Sequence, residues 1–215
     1  AGSPIYRQDG SRVEGVGMYD QELARGWLDV ADSHRGACVS MRDFLWLYPK
    51  GASWEGNAIT FSIWPERAGP LRLHQGVART HSFMIQFHEG GLREARAHEL
   101  ALAFEEPLTP SNSAWYLESG ALGVVMPFRP DRYSAVERGL RDLVVRDRNT
   151  RTLGAIDFGD SVNPGTGSQG GFSVNNEPDR LHGTILQFLR SGERIAWQLA
   201  EAGAWHTMDV DIVHH

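Results

Sequence analysis

Three sets of polar residues have the types and spacing to do chemistry. The densest is Asn175-Asn176-Glu177-Pro178-Asp179-Arg180-Leu181-His182. Amides, carboxylates and an imidazole packed so closely make a hydrogen-bonding platform for a polyhydroxylated ligand. The plainer account is a helix start, with Asp179 as cap, Pro178 near the first turn and solvated neighbours. The second set is His206, Asp209, Asp211, His214 and His215. On a continuing helix Asp211, His214 and His215 share one face, with His206 beside His214. Asp and His so placed can bind a divalent ion, relay a proton or touch a substrate, although the spacing is looser than a zinc-protease signature. In the third set, Arg42 and Lys50 bracket Phe44, Trp46 and Tyr48, and Arg79-Thr80-His81 begins another apolar run. Aromatic faces beside Arg and Asn line sugar sites, yet most of the 7 tryptophans belong to cores, and a lone His on an apolar strand is more often a buried, satisfied one.

Composition limits what these sets can serve. The chain has 215 residues, 41% apolar and 22% charged, enough for one large or two small cores and too apolar for disorder. Lys plus Arg total 21 against 27 Asp plus Glu, a net charge of -6 that argues against a nucleic-acid partner. Lys50 is the single lysine, an arginine bias that codon composition explains as readily as carboxylate binding. Cys38 stands alone, so there is no intrachain disulfide and no cysteine-built zinc site. Apolar runs are only a few residues long, which excludes a membrane span. The first residues show no initiating Met or signal pattern, and His215 falls inside a patterned stretch, so both ends read as cut.

The elements that must position these residues follow from periodicity. Ala37 to Tyr48, Ala58 to Trp64 and Thr80 to Phe87 are short aromatic-rich runs, with Gly56-Asn57 and Gly90-Gly91 as turn signals. They predict an antiparallel β sandwich or barrel. In the third run His81, Phe83, Ile85 and Phe87 form an apolar face expected to pack inward. Leu92 to Phe104 and Tyr133 to Val145 read as helical, and Ala155 to Phe158 as strand. Gly159 to Gly171 is too rich in glycine for a core and reads as a long loop. Its Gly165-x-Gly167-x-x-Gly170 matches a dinucleotide fingerprint only formally, since no βαβ unit carries it. Leu181, Ile185, Phe188 and Leu189 then share one helical face, Ser191-Gly192 supplies a stop, and Ile195, Leu199, Ala202, Met208 and Ile212 continue with helical spacing.

The ordered motifs carry a resemblance. These are Ser33 to Lys50 (SHRGACVSMRDFLWLYPK), Ile63-Trp64-Pro65, Gly76-Val77-Ala78-Arg79-Thr80-His81, Asn176-Glu177-x-Asp179-x-x-His182, and Ala200-Glu201-Ala202 with His206-x-x-Asp209-Val210-Asp211-x-x-His214. Over about residues 36–215 the chain resembles the exo-rhamnogalacturonan lyase-like family, polysaccharide lyase family 26 and its bacterial relatives. The resemblance implies a mainly β, sandwich- or barrel-like central domain over residues 1–160, a Gly-rich linker over 161–171, and over 172–215 the first helices of an α/α toroid. Pro178 stands where the family pattern has an aromatic residue, usually Tyr, a departure that bears on specificity or activity.

The activity implied is β-elimination at a uronic acid in an acidic polysaccharide or oligosaccharide. That reaction needs a group that neutralises the uronate, a base for the C5 proton and an acid for the leaving oxygen. The candidate bases are His81, His182 and His206; the candidate substrate contacts are Arg42, Lys50, Arg79, Asn175, Asn176, Glu177, Asp179 and His214. No cofactor or resident metal is called for, and calcium is left open as an accessory cation. The substrate class favours a secreted or cell-surface location, though the cytoplasm also fits. Three other readings stand beside this one: a glycoside hydrolase using Glu177 and Asp179, a non-catalytic carbohydrate-binding or structural protein, and a metalloenzyme built on the final Asp/His cluster.

Overall fold

The computed structural model describes residues 26–56, 58–149, 154–163, 172–174, 176–177 and 179–214. The chain divides into two compact units: among the described residues the first comprises 26–74, 80–108 and 154–155, and the second 75–79, 109–149 and 156–214.

The first unit holds two small antiparallel sheets. Strands β1 (Trp27–Ala31), β2 (Arg35–Met41) and β5 (Phe83–Glu89) lie in the order β1-β2-β5, and β3 (Gly51–Glu55) pairs with β4 (Ala58–Ser62). The turn between β1 and β2 is set by Asp32, whose carboxylate accepts the amides of His34 (2.7 Å) and Arg35 (2.8 Å). Register puts Asp29 opposite Cys38, Cys38 opposite Gln86 and Gly36 opposite His88, so these side chains share one face. Helix α1 (Glu94–Glu105) covers that face: Ala97 and Ala101, one helical turn apart, pack on Trp27 and Cys38. Alanines at this seam let the helix approach the sheet closely.

The opposite face corrects an expectation. Phe83, Ile85 and Phe87 are 43%, 59% and 80% exposed. The strand alternates as its sequence requires, but α1 takes the other face. Phe61 of β4 meets Phe83 edge-on at 5.9 Å and Phe44 at 6.1 Å. Exposure therefore grows along β5 away from Phe83.

The expectation of a mainly β protein leading into an α/α toroid does not hold. The described residues are 38% helical, with seven short strands in three small sheets and five α-helices, which is not a β sandwich or barrel. The aromatic-rich runs are shorter as strands than as patterns. Asp43 adopts φ 54°, in the left-handed region, and turns the chain just after β2, so Arg42 to Leu47 form turns. The stretch between β4 and β5, punctuated by Pro65, Gly69, Pro70 and Gly76, stays irregular apart from one short 3₁₀ turn. Helices begin well before residue 160.

The second unit is helical: α2 (Ser113–Glu118), α3 (Ser134–Asn149), α4 (Arg180–Ser191) and α5 (Arg194–His206). Val144, Phe188 and Ala196 form its core, with Ile185, Leu189, Ile195, Trp197 and Leu199 packed around them. Gly192 ends α4 as the sequence suggests, at φ 73° with its amide on the Phe188 carbonyl (2.7 Å). The expected strand at Ala155 to Phe158 is instead a series of turns running to Gly159. A two-residue pair, Val162–Asn163 with Phe172–Ser173, follows, and most of the glycine-rich loop, residues 164–171, lies outside the described residues. No described helix is long and apolar enough to cross a membrane.

Candidate functional site

In the second unit three sequence-distant segments come together. The Ala78 amide donates to the Asp209 carbonyl (2.8 Å), and the His214 amide to the Gly76 carbonyl (2.9 Å), so residues 76–79 run beside the end of α5. Gly76 has φ 85°, and a Cβ there would strike Val213. From the third segment, Asn176 reaches into the same region. Its Oδ1 accepts from Ser161 Oγ (2.7 Å), its amide donates to Asp160 Oδ1 (3.1 Å), and its Nδ2 lies 3.4 Å from the Gly159 carbonyl and 3.5 Å from Thr207 Oγ1. Asn176 adopts φ 52°, a conformation Asn tolerates better than most residues.

Thr207 connects this network to a buried imidazole. Residues Thr207–Asp211 form a π-helical turn at the end of α5, a widened turn that recurs at functional sites. Thr207 Oγ1 donates to Asp211 Oδ2 (3.3 Å), and Asp211 Oδ1 lies 3.3 Å from His206 Nε2. His206 is 1% exposed, and neither ring nitrogen is aligned for a hydrogen bond among the described residues. Gly159, at φ 94°, lies against it, since a Cβ there would come within 3.0 Å of His206 Cβ. This histidine is packed beneath the chain, out of reach of a polymer.

His182 is placed differently. It lies in the first turn of α4 with its side chain 64% exposed and Nδ1 3.5 Å from Asp179 Oδ2. Asp179 stands at the cap position but makes no side-chain capping bond, contrary to the plain reading of the sequence; at φ 52° it leaves its carboxylate beside His182. Glu177 is exposed. Arg180 Nη1 pairs with Asp147 Oδ2 at 3.0 Å. A cavity of about 20 Å³ is lined by Asp147, Asp160, Ser161, Asn176, Arg180 and Thr184 among others, room for about one water and far too small for a sugar ring. A saccharide would have to lie on the surface around His182.

The remaining candidates are spread. Arg79 donates from Nη2 to the Phe158 carbonyl (2.9 Å) and stacks over the Phe158 ring at 5.9 Å. His214 is exposed, with Nε2 2.6 Å from the Met208 carbonyl. Asn175, Pro178 and His215 lie outside the described residues. Arg42, Lys50 and His81 belong to the first unit. Lys50 is 3% exposed and donates to the Ile63 carbonyl (2.7 Å), which makes it a structural residue there. Arg42 begins the turn after β2, with its amide on Ser82 (3.0 Å), and His81 precedes β5 half-buried. Beside Arg42, the Asp43 amide donates to Glu105 Oε2 (2.8 Å), and burial, then the Asp43 charge, pushes the Glu105 carboxyl up to about 7.

Asp160, Ser161 and Thr207 were not among the sequence candidates. Gly159-Asp160-Ser161 at the mouth of the glycine-rich loop was a signal that could have flagged the first two; nothing local marks Thr207. Among the described residues no group of three or more His, Cys, Asp or Glu is placed to hold a metal ion. No protein-family model matches the chain, and no curated protein matches it.

Proposed function

We propose that the chain carries a polysaccharide lyase site that cleaves a uronic-acid-containing polymer of rhamnogalacturonan type by β-elimination. The observation supporting this reading is the convergence just described: residues 76–79 and Asn176, from two of the segments on which the resemblance rests, each adjoin the end of α5 and the turn after it, a third such segment, in one unit.

In this reading His182 is the base. The Asp179 carboxylate favours a proton on Nδ1 and leaves the Nε2 lone pair to take the C5 proton. Arg79 supplies positive charge for the uronate, which acidifies that proton. As the C5–H pair moves to form the C4–C5 double bond, the C4–O bond breaks and the leaving oxygen takes up a proton from solvent water. His206, sealed in, sets the position of the Asn176 and Thr207 network and does not touch substrate.

The test is to incubate the chain with rhamnogalacturonan backbone oligosaccharides and follow ultraviolet absorbance of the unsaturated uronide. Unsaturated product that disappears in His182→Gln supports the reading. A flat trace from about pH 5 to about pH 8, with and without calcium, overturns it, as do saturated products, which would indicate hydrolysis.

A further inference from the structure

We propose that His88 and Asp29 form a pH-sensitive clamp tying together the two outer strands of the three-stranded sheet, closed when the imidazole carries both protons and loosened when it loses one. His88 Nε2 is 2.7 Å from Asp29 Oδ1, and Nδ1 is 2.8 Å from the Gly90 carbonyl. Both partners are acceptors. A neutral imidazole has one N–H and would turn a lone pair toward one of them; only the imidazolium donates to both. The two side chains are 8% and 16% exposed, so water dilutes the pairing little.

The geometry depends on an absent side chain. β1 and β5 are separated by β2, and Gly36 stands directly opposite His88. A Cβ at Gly36 would run into the imidazole and come within 2.6 Å of Ala31 Cβ. The glycine leaves the gap through which His88 reaches across β2 to Asp29.

The surroundings single out Asp29 as the controlling charge. From β2, Cys38 stands opposite Asp29, and burial, then the Asp29 charge, pushes its thiol up to about 11, so it stays neutral. From β5 and the following turn come the Glu89 and Gly90 carbonyls. The Gly90 amide is itself held by the His34 carbonyl (3.0 Å), and the Asp32 carboxylate is bound to the His34 and Arg35 amides. From α1 this face meets Ala97 and Ala101. Burial opposes the imidazolium, but the Asp29 hydrogen bond and charge, with the two carbonyls, hold His88 above the ordinary imidazole range. The clamp is therefore complete below about pH 6.5 and weakens as pH rises through the higher folded value. With both ring nitrogens engaged, a Cys38-His88-Asp29 nucleophile arrangement is excluded.

The test combines imidazole nitrogen NMR with amide hydrogen exchange in β2 and β5 of the full chain. At about pH 6 both His88 nitrogens should be protonated. Between about pH 6 and pH 9 opening of β5, corrected for intrinsic exchange, should rise on the order of tenfold. Asp29→Asn keeps an oxygen acceptor and loses the charge, so the rise should move to lower pH; His88→Gln should abolish the pH dependence. A singly protonated ring at about pH 6, or unchanged protection while the ring titrates, overturns the proposal. Should His88→Gln fail to fold, Asp29→Asn decides alone.

Discussion

Arg190 closes on Glu137 as a two-pronged pair, Nη1 2.7 Å from Oε2 and Nη2 2.6 Å from Oε1. The side chains are 10% and 3% exposed, and the other donors are also used: Nε on the Met126 carbonyl (2.9 Å), Nη2 on the Pro127 carbonyl (3.2 Å) and Nη1 on Gln187 Oε1 (2.9 Å). The Arg129 amide adds a bond to Glu137 Oε1 (3.0 Å). One satisfied ion pair thus joins α3, α4 and the chain at 126–129.

Breaking it should be costly. Glu137→Gln leaves a buried guanidinium without its counter-charge, and the second unit should lose about 3 kcal/mol in denaturant unfolding at neutral pH. The Arg190 hydrogen bond holds the Glu137 carboxyl below the usual range. Its stabilisation is therefore full above about pH 4.5 and lost as pH falls through the depressed folded value. Glu137→Gln should unfold with less dependence on pH in that acid window; an unchanged profile would count against the pair's role.

Glu105 gives the opposite sign. Its carboxyl titrates at about 7 when folded and lower when unfolded, so the folded state binds the extra proton and stability falls as pH rises from about 4.5 to about 7. Glu105→Gln keeps an oxygen for the Asp43 amide and removes the titration. The variant should be more stable than the parent at about pH 8 and indistinguishable from it at about pH 4 in thermal melts.

Much of the helical part was legible. Leu181, Ile185, Phe188 and Leu189 mark the inner face of α4, Gly192 its end, and Leu92 to Phe104 most of α1, because helix periodicity and caps are local signals. The sheets were less so. Short alternating runs do not reveal which strands pair or that Asp43 would turn the chain after Met41, and the inward face of β5 depends on where α1 packs. For the site, Asn176, His182 and His206 stood out by residue type. That His206 would be sealed in and Thr207 would bridge Asn176 to Asp211 depends on contacts distant in sequence.

Two glycines should respond in opposite ways to alanine. Gly159→Ala would place a methyl group into the Ala202 carbonyl from a φ of 94°, and should cost about 3 kcal/mol or more. Gly183, inside α4, has nothing within 4 Å of its missing Cβ. Gly183→Ala should stabilise by about 0.5 to 1 kcal/mol. Thermal melts of the two variants side by side check both.

The two histidines separate reaction from architecture. His182→Gln should lower kcat by about 10²- to 10⁴-fold with the melting temperature unchanged, as an exposed base would. His206→Ala should cost about 2 to 3 kcal/mol of stability through the cavity it opens. Equal melting losses in both variants would remove the distinction.

The π-helical turn at Thr207–Asp211 ties chain length to helix winding. Such a turn is an α-helix carrying one additional residue. His206 and Asp211 are five residues apart, a spacing that the wide turn keeps on one face; deleting Met208, Asp209 or Val210 would make them an i,i+4 pair, which a regular α-helix also keeps on one face. A relative shorter by one residue at this point could therefore hold the same pair on a regular helix, whereas one that kept all five residues but wound them as a regular helix would turn Asp211 about 100° away from the imidazole.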